Sequence, residues 1–262
     1  MQCPIIGWRN SIQRSSIEMN STSQDILAQL QAVDLIRAQR QADPLLAAKV
    51  LAVKAYQARR FELTYADLSA EARYSAVTRF FMAELYGPQE FSQRDAQFAR
   101  VVPALVRLFP KELAQTVHAL CTLHALSEGL DSDLARHLPG TEVVPERYVL
   151  AWQGCARRAD RARQVELTFD IGSALDQHTR SSVLRVALAS MRKPAEAAGL
   201  ANLQRFLEAG VAAFRSMNGA AFFLATVQAR EQRLMQALFS APTGPDDLPF
   251  QPGDPIRALL PN

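Results

Sequence analysis

Apolar residues recur along this chain at intervals of three and four, a spacing that only a helix of about 3.6 residues per turn gathers onto one face. Ile26, Leu30, Val33 and Ile36 make the first such stripe, with Ser23 placed to cap it. Pro44 opens a second helix carrying Leu45, Leu46, Val50, Val53 and Leu63. In a third, Tyr74, Val77, Thr78, Phe81 and Leu85 share a face. Phe80 and Met82 widen that arc until the helix needs cover on more than one side. Gly87 and Pro88 then supply a sharp corner, and Ser92 with Asp95 three residues on reads as the cap of the next helix. The stripe Phe98, Val101, Val102, Leu105, Val106 and Phe109 passes straight through Pro103, which predicts a kinked helix rather than a break.

The same period continues downstream. Pro110 starts a helix that runs to about Gly129, and His137 to Pro145, with Pro139-Gly140 in the middle, reads as a surface loop inside one domain. Pro145 opens a helix with Tyr148, Leu150 and Trp152, followed by helical pattern over 159–177 and 181–191. Lys193-Pro194 to Gly199 reads as a break before Leu203, Phe206, Leu207, Val211 and Phe214, and Asn218-Gly219 ends that helix. A last helix reaches about Phe239. No segment alternates as a strand would, and no repeat is long enough to count. The expected fold is therefore all-α, a single compact bundle of about eight to ten helices over residues 19–240. Residues 1–18, with little periodicity, form a disordered lead. Residues 241–262 form a Pro-rich extended tail, since Pro242, Pro245, Pro249, Pro252, Pro255 and Pro261 forbid a long helix. The tail's apolar residues, Leu248, Phe250 and Ile256 to Leu260, either dock on a partner or fold back on their own domain.

One stretch is similar to a known family. RFFMAELYGP at 79–88, followed by Phe91, Arg94 and Asp95, resembles a bacterial family named for its Phe-Phe-Leu-Glu-Glu-Leu-Tyr motif. The similarity extends through His124-Ala-Leu-Ser-Glu128 and the Arg215 to Glu231 region, so it covers roughly residues 45 to 240. Met82 and Ala83 depart from the motif, and Ala83 removes a carboxylate from it. The resemblance implies a helical fold and a bacterial origin, and supplies no activity, substrate or catalytic residue.

Composition narrows the classes further. The net charge is only +3, and the basic residues are nearly all arginine, so no excess points to nucleic acid. Cys3, Cys121 and Cys155 are odd in number and lack CxxC spacing, as expected of a reduced cytosolic protein. Lys49 and Lys54 interrupt one apolar run and Arg215 and Asn218 another, so no membrane span is expected. The first residues have too short an apolar core for a signal peptide, and the expected location is cytoplasmic.

Catalytic motifs are missing from the chain: it has no G-x-S-x-G, no Walker loop, no dinucleotide fingerprint and no H-E-x-x-H. No catalytic, cofactor-binding or metal-binding residue is assigned, and no cofactor is expected. The nearest approach to a metal set is Cys121, His124 and Glu128 at helical spacing, with His118 pointing away. A core histidine bonded to Glu128 explains His124 without a metal. Arg157, Arg158, Arg161 and Arg163 form the densest basic patch, near Tyr148 and Trp152. Interleaved Asp160 and Glu166 favour a solvated helix face over a single-strand binding site. Asp131-Ser-Asp133 reads as a helix cap after Gly129.

Charges standing on apolar faces are the remaining candidates. Glu84, Asp95, His124, Glu128 and Arg230 form the expected buried polar network or ligand site. Arg230 lies between Phe223, Val227 and Leu234, and the expectation is that it crosses the core to an acid of the central stretch, Glu84 first. The alternative is a stem packed on the core with its head in water. The function expected is a non-enzymatic helical protein that binds a protein partner. The alternative is a metal- or haem-binding protein using the His124 region.

Overall fold

Helices begin and end largely where prolines, caps and glycines direct. The computed structural model describes residues 5–84, 91–241 and 256–261, with side chains from Thr22 onward except those of Val183 and Arg257. The first helix, α1, spans Ile5–Gln41, so Ser23 lies inside it, and its buried stripe starts at Ile26. Asp43 caps α2, Pro44–Thr64, by accepting the Leu46 N–H at 3.0 Å, with Pro44 in the first turn. A short helix that the sequence pattern did not disclose, α3, Ala66–Ala70, leads to α4, Ser75–Glu84. The corner expected at Gly87-Pro88 lies outside the described residues, as do Leu85, Leu248 and Phe250.

Helix α5, Ser92–Leu108, runs through Pro103 as the pattern requires, although Phe91 rather than Ser92 is its cap. Two expected stops are overridden. Helix α6, Lys111–His137, continues eight residues beyond Gly129. Leu130, Leu134 and Ala135 are buried there, which outweighs the roughly 1 kcal/mol that a mid-helix glycine costs. Asp131, Ser132 and Asp133 are consequently helix interior and not a cap. Helix α7 is Pro145–Gly154, α8 is Arg158–Thr179, and α9 is Ser182–Ala197, capped by Ser181. Pro194 stands in the last turn of α9, where it forfeits one bond to the preceding turn without ending the helix, and the chain turns out at Gly199, φ +72°. Helix α10, Ala201–Ser216, ends at Asn218 and Gly219, both at positive φ, and α11 is Ala221–Ser240. Among the described residues there is no strand, and no helix is long and apolar enough to cross a membrane.

Helix α6 sits at the centre, packed against α1, α2, α5, α7 and α8. Helix α8 carries the chain over to α10 and α11, and α10 also holds α4, α5 and α9. The α8–α11 contact is close: a Cβ on Gly172 would stand 2.4 Å from Leu224 Cδ2. Burial divides into three apolar clusters. One joins Ile26 and Leu30 of α1 to Val102 and Val106 of α5 and to Ala114 and Cys121 in the first half of α6. A second joins Phe61, Tyr65, Tyr74 and Val77 to Phe214, Met217 and Phe223. Phe81 packs at the rim of this second cluster, with ring centroids 6.3 Å from Phe61 and 6.0 Å from Phe223. The third joins Val50, Val53 and Tyr56 of α2 to Leu134 and Leu138 at the end of α6, to Tyr148 and Trp152, and to Leu234 and Leu238.

The end of the tail completes this third cluster. Ile256 and Leu260 are 4 % and 3 % exposed, a short 3-10 helix spans Arg257–Leu259, and the Tyr56 hydroxyl donates to the Pro261 carbonyl at 3.1 Å. Of the two fates open to these apolar residues, they take the intramolecular one. Leu260→Ala should therefore lower stability by about 2–5 kcal/mol, as for other buried leucines. A urea midpoint shared by the variant and the parent chain would show that the segment contributes nothing.

Candidate functional site

The middle of α6 is polar on its buried side, and that is where three of the five sequence candidates meet. Glu128 is 4 % exposed and faces cations from two other helices. Lys54 Nζ of α2 lies 2.7 Å from its Oε1, and Arg40 Nη1 of α1 lies 2.5 Å from its Oε2. Arg40 also spends Nη2 on the Glu128 carbonyl at 2.6 Å and Nε on Ser132 Oγ at 2.9 Å. One turn away, Arg37 Nη2 is 2.8 Å from Asp95 Oδ2, and His124 Nε2 reaches the same oxygen at 2.9 Å. Arg37 Nη2 also stands 4.0 Å from Glu128 Oε1, which joins the two carboxylates into one network across α1, α2, α5 and α6. His124 is bonded to Asp95, then, and not to Glu128 as its spacing suggested.

The charges are mutually stabilising. Burial pushes the Glu128 carboxyl up, but the charges of Lys54 and Arg40 outweigh it and hold the group down at about 2. Burial likewise opposes ionisation of Asp95, and its bond to His124 together with the charges of His124 and Arg37 leaves the net shift downward. Cys121 takes no part. It sits in the apolar cluster of α1 and α5, where burial first and the Asp95 charge second push its thiol up to about 12. The spacing Cys121-His124-Glu128 therefore does not become a ligand set, and among the described residues no three His, Cys, Asp or Glu side chains are grouped to hold a metal.

Glu84 attaches to the edge of the network through an intermediary. Arg94 Nη1 lies 3.3 Å from Glu84 Oε2, and its Nε is 3.9 Å from Asp95 Oδ1. The Arg94 guanidinium is sandwiched at 3.9 Å from the Phe91 ring centroid and 4.3 Å from that of Phe206. Arg230 is elsewhere. It binds Asp67 through both Nη atoms, at 2.7 and 2.6 Å, and donates to the Thr64 carbonyl at 2.7 Å. The expected crossing to Glu84 is thus replaced by a rim pair, because α3 brings Asp67 within reach and the Arg230 side chain keeps 31 % of its surface in solvent. The bond from Arg230 is the chief reason that the Asp67 carboxyl is lowered to about 2.

The acid of α11 that turns inward is Glu231. It pairs with Arg60 Nη1 of α2 at 2.5 Å and accepts the Tyr65 hydroxyl at 2.7 Å. The basic patch of α8 also divides. Arg157 pairs with Asp133 and Asp160, and Arg163 lies 3.4 Å from Glu166, in keeping with a solvated face. Arg161 does not belong to that face, since it is 6 % exposed and stacks 4.0 Å from the Trp152 ring centroid.

Sequence reasoning missed Arg37, Arg40, Lys54 and Arg60 as the cationic half of these arrangements, and it read Arg161, which is buried, as part of a solvated face. Extending the stripes would have found most of them. Ile26-Leu30-Val33 runs on at the same alternation of four and three to Arg37 and Arg40, and Val53-Tyr56 runs on to Arg60.

Compared with known proteins, the chain matches the model of a domain of unknown function (DUF8198) over residues 36–245. No curated protein and no solved structure matches it.

Two consequences can be measured. Glu128→Gln leaves Arg40 and Lys54 facing a neutral amide and should cost about 3–5 kcal/mol at pH 7. A carboxyl held low in the folded state contributes in full above its unfolded value near 4.5 and loses that contribution as pH falls toward about 2. The gap between parent and variant in urea titrations should therefore narrow between pH 5 and pH 2; a gap independent of pH would separate the stability from the charge. Arg230→Met, by contrast, removes a solvent-screened pair and should cost no more than about 1 kcal/mol. A loss several times larger in the same titration would place Arg230 among the buried cations.

Proposed function

We propose that this chain, which belongs to the family described as a domain of unknown function (DUF8198), acts without catalysis by binding a protein partner. The observation that carries the reading is an apolar strip at the solvent end of α5. Leu108 is 71 % exposed and Phe109, its neighbour, is 40 % exposed. Ala104, one turn earlier, is exposed as well, and helical spacing places it on the side of Leu108. Arg107 and Lys111, both exposed, flank the strip. An apolar centre with a basic rim suits a partner that offers an apolar anchor among acidic residues.

The state of the polar residues supports the non-enzymatic half. Asp95, His124 and Glu128 are engaged with one another's cations, which suits holding helices together better than moving protons. The tail's Ile256 and Leu260 are taken up by the chain's own core, which leaves the α5 strip as the stronger docking surface. A cytoplasmic setting is supported by the free thiols of Cys121 and Cys155. The likeness of residues 79–88 to the FFLEELY motif supports a bacterial one.

Immobilised parent chain and its Leu108→Glu variant should be compared against lysate of the source organism, with Arg163→Glu as an exposed-charge control. The expected result is a protein retained saturably by parent and control and lost at least about tenfold with Leu108→Glu, a variant whose melting temperature stays near that of the parent because the site is exposed. Equal retention by all three chains, or none by any, would remove the strip from consideration.

A further inference from the structure

Arg161 is buried without a carboxylate. Its Nη1 donates to Gln164 Oε1 at 3.0 Å and its plane lies over Trp152, but among the described residues it makes no ion pair. A guanidinium does not shed its proton at physiological pH, so the charge remains and must be met by something. The charge of Asp131 acts on it without a direct pair, and burial pushes that carboxyl upward, against the charges of Lys54 and Arg161. Trp152 presents a second unmet group, since its buried indole N–H has no acceptor.

Both residues line one cavity of about 60 Å³ between α2, α7, α8 and α11. Arg60 and Glu231 line it too, but they are spent on each other. With two arginines and one carboxylate in the lining, the cavity is left with a positive excess. Its remaining wall mixes the apolar Val165, Leu224 and Val227 with the polar Gln57, Thr168 and Gln228. On a scale where one water needs roughly 10–15 Å³, this space holds about four to six heavy atoms.

We propose that this cavity binds a short-chain carboxylate, the size of acetate or propionate. One carboxylate oxygen is met by the Arg161 guanidinium and the other by the Trp152 indole N–H, with the alkyl end against Val165, Leu224 and Val227. A bound carboxylate supplies the counter-ion that Arg161 lacks and the acceptor that the indole lacks, and its methyl or ethyl group matches the apolar part of the wall. The inference is independent of the α5 strip and stands whether or not that strip binds a protein.

The chain has two tryptophans, Trp8 and Trp152, so Trp8→Phe leaves Trp152 as the reporter. Titrating that chain with sodium propionate at constant ionic strength should change the emission saturably, with half-saturation at roughly 1 mM, as suits so small a ligand. Arg161→Gln should weaken binding at least about tenfold. Val227→Phe fills the cavity without removing a charge and should abolish binding, which keeps the test valid should Arg161→Gln fail to fold. The parent chain's melting temperature should rise with propionate and not with chloride. The proposal is overturned if chloride and propionate act alike, if inorganic phosphate binds more tightly than propionate, or if Val227→Phe binds as the parent does.

Discussion

A carboxylate inside a helical core can exist only where cations are delivered to it, and the arrangement of α1, α2 and α6 follows from that requirement at Glu128. An isolated charge there would cost several kcal/mol, so Arg40 and Lys54 must arrive from two separate helices and arrive together. Apolar packing tolerates a slide of one helix along another far better than this does. Arg40 is fixed by three bonds, to the carboxylate and carbonyl of Glu128 and to Ser132, one turn on. A shift of α1 by one turn against α6 would break all three. The network thus sets register, while the apolar clusters on either side of it supply most of the burial energy.

That division also explains what could be read from sequence. The helices were legible because their apolar stripes and caps are local: Asp43 with Pro44, Pro145, Ser181 and Asn218-Gly219 all act within a few residues. Stops that depend on tertiary burial were not, as with Gly129, where packing against α1 and the core carries the helix onward. Asp95, His124 and Glu128 stood out as polar residues on apolar faces, but their partners lie on average a helix or more away in sequence, and no local rule couples Arg37 to Asp95. The Arg230 reading failed for a related reason. Helical spacing located the side chain correctly near the core, but the choice of acid depended on α3, five residues whose presence the pattern did not reveal.

The two buried polar regions differ in how completely they are closed. Around Glu128 and Asp95 the anions are provided by the chain and surrounded by its cations, so the arrangement is self-sufficient. Around Arg161 the cation is provided, and among the described residues no carboxylate pairs with it directly. Burial alone does not distinguish these cases, since Arg40 and Arg161 are each 6 % exposed. Among the described residues the difference lies in direct pairing: Arg40 meets the Glu128 carboxylate, whereas Arg161 meets only the amide oxygen of Gln164.

The docking of residues 256–261 has a consequence for the order of events during synthesis. Tyr56 and the carbonyl it binds, that of Pro261, are 205 positions apart. The apolar stripe of α2 therefore leaves the ribosome long before the segment that completes its cover. At roughly 5–20 residues per second, the delay is on the order of ten to forty seconds. Through that interval the cluster around Val50, Val53 and Tyr56 lacks the part of its cover that Ile256 and Leu260 supply. A nascent chain of this design keeps its third apolar cluster incomplete until residues 256–261 emerge, and whatever shields that gap in the meantime governs how much of it matures.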